Sequence, residues 1–231
     1  MAAEHLLDQL RGSSSNLEMD FTLSLLEIDL LMRRGDYSTA MGTLEKLSTR
    51  LNEETADIYQ RVKVMTLKAR LLDRAGIPQK GFSVALRAAS LAHKARLLPA
   101  LWEAVGAVSR VLISLMEFEA SANLLASIMP QVLECEDCDL SAHMFAYLAD
   151  AHMGMAGQAK AETLKRKEQL TKALEYLGRS FDEFSRIEDV KGQCEMLAKK
   201  ATIMRLNGDM VLANDCAAQY LDIKRAAKEN V

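Results

Sequence analysis

Apolar residues recur along this chain in steps of three and four, and the runs are cut at nearly even intervals. Leu23, Leu26 and Leu30 share one helical stripe before Gly35, and Ala40, Leu44, Leu47 and Leu51 resume the spacing after it. Met65, Ala69 and Leu72 lead into Gly76, and Leu197, Ala201 and Met204 into Gly208, each set eleven, seven and four residues ahead of its glycine. Long stretches of strand alternation are absent. The breaks fall at Gly35, Gly76, about Met116, about Ala156 and Gly208, with gaps of 41, about 40, about 40 and about 52. A fixed period of this size predicts a helical solenoid.

Each break has a local reason. Gly35 and Gly208 sit where a helix ends, and glycine accepts the left-handed conformation that closes it. Asp36 and Asp209 follow at once and are placed to cap the next helix through its free amides. Gly76 is followed by Ile77-Pro78, and proline in a first helical turn loses no needed hydrogen bond. Ala40 and Ala213 each lie five residues past their glycine, where a second helix crosses the first.

The pattern predicts an all-α, right-handed solenoid of about five antiparallel helix pairs. Residues 1–16 hold part of a helix and the break "RGSSSN". The repeat domain then runs over 17–231, with pairs near 17–52, 56–97, 100–134, 139–187 and 190–228. The fourth pair carries extra residues. Either its second helix is longer by about three turns, or a basic protrusion stands out from the stack.

Composition agrees. Good helix formers dominate, and only three prolines and eleven glycines interrupt 231 residues, enough for one large or two small domains. The net charge of −3 argues against a general nucleic-acid binder. No apolar run reaches the roughly 18 residues of a membrane span. The N-terminus lacks a secretory pattern, and four cysteines then point to a reducing compartment. Thirteen methionines serve either as adaptable core filler or as an accommodating partner surface.

No catalytic constellation emerges, and no cofactor is expected. Phosphate-loop and nucleophile-elbow motifs are absent. His143 and His152 are nine residues apart, not four, while His5 and His93 stand alone. Cys135 and Cys138 form a CxxC, but Cys194 and Cys216 are far off, so the pair reads as two thiols in an acidic turn rather than half a zinc site. Glu134, Glu136, Asp137 and Asp139 read as a solvated loop, with Asp139 or Ser141 capping the next helix. Lys165-Arg166-Lys167, flanked by Glu162 and Glu168, reads as a solvated helix face rather than a nuclear-localisation patch. Trp102 and Phe145 are expected in the core, and Tyr37 as the packing aromatic of its turn.

Gly35-Asp36-Tyr37 with Ala40 and Leu44, and Gly208-Asp209-Met210 with Ala213 and Ala217, resemble the tetratricopeptide repeat. This chain departs from that repeat in its longer period and in Lys68 and Lys200, which stand where an apolar residue is usual. The third and fourth units also lack the turn glycine. The resemblance implies a concave face lined by the first helix of each pair. Positions six and two before the turn glycine face inward: Asp29 and Arg33, then Arg70 and Arg74, then Arg110, with Arg205 a weaker candidate. Such arginines suit an acidic or C-terminal peptide, since guanidinium binds carboxylate bidentately. They read equally as an ordinary charged helix surface.

The stretch "RLLDRAGIPQKGFSVALRAASLAHKARLLPALWEAVGAVSRVLISLMEFEASANLLASIMPQVLECEDCDLSAH" resembles the C-terminal repeat region of the subunit-5 family of the anaphase-promoting complex, and the likeness runs from about Met19 to the end. Members of that family are several times longer, so this chain is a fragment, a truncated product or a short homologue. The resemblance implies a non-catalytic scaffold in a multisubunit ubiquitin ligase of mitosis and the cell cycle, present in nucleus and cytoplasm. Its partners would be other platform subunits and the repeat-protein arm, without nucleic acid, membrane or small-molecule substrate. Two further readings remain: a free-standing peptide-binding adaptor, and an enzyme with a hidden site, which stoichiometric zinc would reveal.

Overall fold

The computed structural model describes residues 17–53, 57–160 and 163–229; the segment expected over 1–16 lies outside them. Among the described residues there are ten α-helices and no strand. They are α1 (Leu17–Arg34), α2 (Tyr37–Glu53), α3 (Ile58–Arg74), α4 (Pro78–Lys94), α5 (Leu98–Ser114), α6 (Phe118–Glu134), α7 (Cys138–Gln158), α8 (Leu164–Arg186), α9 (Val190–Leu206) and α10 (Met210–Glu229). Taken two by two, they are the expected pairs to within a few residues. The chain forms two compact units, residues 1–111 and 112–231.

One backbone device closes seven of these helices. Gly35, Gly76 and Gly208 hold φ near +80°, and Arg96, Met116, Glu136 and Glu188 hold φ between 53° and 65°. At Gly35, the Asp36 N–H donates to the Leu31 carbonyl at 3.0 Å and the Gly35 N–H to the Met32 carbonyl at 3.2 Å. Paired bonds of the same kind close α3 at Gly76, α4 at Arg96, α5 at Met116, α8 at Glu188 and α9 at Gly208. The expected aspartate caps are present. Asp36 accepts from the Thr39 N–H and Asp209 from the Leu212 N–H, both at 3.1 Å. Hydrogen bonding from the Thr39 hydroxyl, and then from its N–H, holds the Asp36 carboxyl below its ordinary pKa.

Three expectations are corrected. Ala156 is not at a turn: it is buried inside α7, which continues to Gln158 and leaves through an extended Ala159. The extra length of the fourth pair is divided between both helices: α7 has 21 residues and α8 has 23, where most others have 17. The cap of α7 is Asp137, accepting from the Leu140 N–H at 3.0 Å, while Asp139 sits inside the first turn. Asp137 is the residue that directly precedes the helix, where a carboxylate reaches the third amide.

In the first unit, Ile28 and Met32 of α1 pack on Ala40, Leu44 and Leu47 of α2 and on Val64, Leu67 and Leu71 of α3, with Tyr37 against the cluster. A second cluster joins Val62, Ala92, Ala100 and Leu101, with Trp102 half-buried beside it. The helices of α3–α4 cross where a Cβ on Gly81 would lie 3.0 Å from the Ala69 carbonyl oxygen, so the small residue expected at Ala69 is matched by glycine opposite. In the second unit, Ala142, Ala146 and Ala149 of α7 face Ala173, Leu177 and Phe184 of α8 and Met196 and Ile203 of α9. Phe145 is buried in the same unit, as are Ala213, Cys194 and Cys216.

Candidate functional site

Each hairpin reverses the chain, so α1, α3 and α5 point the same way. Charged side chains tie them in register. Asp29 of α1 lies 4.0 Å from Arg70 of α3, and Lys63 of α3 pairs with Glu103 of α5. The partners of these two pairs stand 41 and 40 residues apart, the period of the turn glycines. Arg110 of α5 reaches Asp73 of α3 at 3.3 Å.

Between these helices lies a groove of about 430 Å³. On one wall α1 contributes Phe21, Thr22, Leu25, Leu26 and Asp29. The floor and far wall come from α3, through Tyr59, Gln60, Lys63, Thr66, Leu67 and Arg70, with its cap Asp57 at one end. Glu103 enters from α5. Apolar side chains and two ion pairs, Asp29 with Arg70 and Lys63 with Glu103, share this lining. Leu26 was expected on the buried stripe of α1 but is 54% exposed here. Leu23 is buried as expected, together with Phe21, Ser24, Ile28 and Met32, while α1 turns that face to α2 and α3 and leaves Leu26 to the groove.

The charges differ in their satisfaction. Burial pulls the Lys63 ammonium down, but the hydrogen bond and charge of Glu103, helped by Tyr59, outweigh it and leave its pKa above the ordinary value. Asp29 already accepts from the Arg33 Nε at 2.6 Å. Asp57 accepts from the Tyr59 N–H at 3.4 Å, a weak cap. Among the described residues, two side-chain oxygens are buried without a hydrogen-bond partner: Thr66 Oγ1 in the groove and Asp73 Oδ1.

Asp29 and Arg70 therefore line the groove, and Arg33 stands exposed beside Asp29. Arg74 is exposed in the last turn of α3, and Arg110 is half-buried against Asp73. Arg205 is exposed in the last turn of α9, in the second unit. Sequence reasoning passed over Lys63, Glu103 and Thr66, and set Leu26 on the buried stripe. The legible signal was a pair of opposite charges one period apart.

The other candidates are separate. Cys135 is exposed and donates its thiol to the Gln131 carbonyl at 3.3 Å. A hydrogen bond to Glu183, burial and the charge of Glu183 raise the Cys138 thiol, so it stays protonated at neutral pH. Among the described residues, no three His, Cys, Asp or Glu side chains are grouped to hold a metal, and no helix is long and apolar enough to cross a membrane. Lys165, Arg166 and Lys167 open α8, capped by Thr163. His152 is buried, stacked on Tyr176 at 5.4 Å and hydrogen-bonded through Nδ1 to Gln169.

No protein-family model matches the chain, and no curated protein matches it. Solved structures do. BtubC (BKLC) from P. vanneervenii is similar over 98% of this chain and 90% of its own, with a TM-score of 0.65 at 15% identity. A Podosopora anserina protein described as a kinesin light chain with nearly identical TPR-like repeats matches over 89% and 95%, with a TM-score of 0.58 at 15% identity. MamA from Desulfovibrio magneticus RS-1 matches over 89% and 96%, with a TM-score of 0.52 at 14% identity. Serial helix hairpins closed by left-handed residues, together with these likenesses, give this chain the fold of the tetratricopeptide-like helical-repeat proteins.

Proposed function

We propose that the chain is a non-catalytic protein-interaction scaffold, and more finely a scaffold subunit of the anaphase-promoting complex that holds neighbouring platform and repeat-arm subunits in nucleus and cytoplasm. The observation that carries the broad reading is the register of α1, α3 and α5. It presents one face of three first helices as a continuous groove of mixed charge and apolar surface. The fold suits that role, because each hairpin rests on its neighbours and leaves a long surface for others. The finer reading rests on the sequence resemblance that includes Arg70–His143. Asp29, Arg33, Arg70, Arg74 and Arg110 in the first unit, and Arg205 in the second, are the proposed contact residues. The test is affinity capture of the tagged chain from cell extract with mass spectrometry. Recovery of ubiquitin-ligase subunits in stoichiometric amount supports the finer reading. Their absence overturns it and favours a free-standing adaptor for an acidic or C-terminal peptide.

A further inference from the structure

The groove of α1, α3 and α5 carries a charge preference that a count of arginines does not convey. Its charged lining groups are Asp29, Asp57 and Glu103 against Lys63 and Arg70, with Arg33 beside Asp29, so what matters is how each carboxylate is paired. Arg33 and Arg70 engage Asp29, and Lys63 engages Glu103. Asp57 is the carboxylate left over: exposed, weakly bonded to one amide, and paired with no cation among the described residues.

A second mark is independent of charge. Thr66 is 5% exposed, and its hydroxyl has no hydrogen-bond partner among the described residues. Threonine in a helix has two accessible χ1 wells, so rotation can turn the hydroxyl toward an incoming group. A helical ligand has its backbone groups already satisfied; an extended one brings free N–H and C=O groups.

We propose that this groove takes an extended segment of a partner protein, seating an apolar side chain among Leu25, Leu26 and Leu67 and setting a lysine or arginine against Asp57. This rests on the scaffold reading and names the chemistry of one of its contacts. Asp57 and Leu67 are ten residues apart along α3, about 15 Å. An extended chain covers that distance in roughly four or five residues.

The test uses the full chain and short, labelled, end-capped peptides carrying leucine and arginine about four residues apart, in either order, read by fluorescence anisotropy. A matched set replaces the arginine by glutamate. We expect the arginine set to bind, the glutamate set to be weaker by about tenfold as attraction becomes repulsion, and added salt to narrow the gap. In Asp57→Asn the gap closes; asparagine caps a helix as well as aspartate, so the fold is kept. In Leu26→Glu both sets weaken. Glutamate peptides that bind as tightly or more tightly, a gap that survives Asp57→Asn, or no binding by either set would overturn the proposal. If the wild-type chain captures complex subunits from extract yet fails the peptide test, the groove chemistry is wrong and the scaffold reading stands.

Discussion

Glu188 holds φ at 56° and Gly208 at 81°, each to end one helix and aim the next. A Cβ in this region crowds the following carbonyl and costs about 1–2 kcal/mol, a cost glycine avoids. A Cβ on Gly35, Gly76 or Gly208 would meet nothing within 4 Å, so the backbone alone decides. We expect Glu188→Gly and Met116→Gly to stabilise by about 0.5–1 kcal/mol, and Gly208→Ala to destabilise by about 1 kcal/mol, measured by urea unfolding. Glycine marked only some of these turns in the sequence; Arg96, Met116, Glu136 and Glu188 adopt the same conformation without announcing it. His152 gives a second residue-scale prediction. Burial, less the bond to Gln169 and aided by Lys172, holds its pKa below the ordinary histidine value. Protonation therefore favours the unfolded chain: stability is intact above about pH 6.5 and declines as pH falls through it toward the folded value. Unfolding midpoints at a series of pH values between neutral and acid should show this slope, and His152→Asn should flatten it.

At the scale of elements, hairpins depend on how closely their helices approach. A Cβ on Gly192 would lie 2.5 Å from the ring of Phe184, which is almost fully buried and has nowhere to go. A Cβ on Gly154 would lie 2.3 Å from Phe118, whose ring is only half-buried and can swing outward. We expect Gly192→Ala to cost about 1–3 kcal/mol and Gly154→Ala less. Combining Gly192→Ala with Phe184→Leu should recover part of the loss relative to the sum of the single changes, which a double-mutant cycle reads directly. Helix existence, pairing and order were legible, because apolar spacing and caps are local properties. Which face of α1 is buried was not. Leu23, Leu26 and Leu30 keep perfect helical spacing, yet only Leu23 is buried, with Phe21, Ser24, Ile28 and Met32, while Leu30 is half-buried and Leu26 exposed, and tertiary neighbours make that choice. The elongated fourth pair was misread for the same reason. The extra residues were visible, but their sharing between α7 and α8 is fixed by contacts such as the Ser180 hydroxyl donating to the Ala142 carbonyl at 2.8 Å.

On the scale of the molecule, the period of about forty residues is a chemical register as well as a structural one. Asp29 with Arg70, and Lys63 with Glu103, place opposite charges one period apart, so the groove's polar frame was readable in principle, had charge been searched at the repeat length. Its ligand chemistry was not, because Thr66 and Asp57 stand out only once their partners are known to be missing. The Lys63–Glu103 pair bridges α3 and α5, two successive first helices, and should be felt in how those hairpins hold together. Lys63 has a folded pKa above its unfolded value of about 10.5. Its contribution is therefore complete below that pH and is lost as pH rises through the folded value. We expect Glu103→Gln to lower stability at pH 7 by about 1 kcal/mol, the scale of a partly exposed pair, and to remove part of the alkaline fall in the unfolding midpoint above about pH 10.5. An unchanged alkaline limb in Glu103→Gln would mean that other groups set it and that the pair adds nothing to the coupling of neighbouring repeats. A loss at neutral pH together with a flatter limb would tie the charge register directly to the stacking of hairpins on which the groove depends.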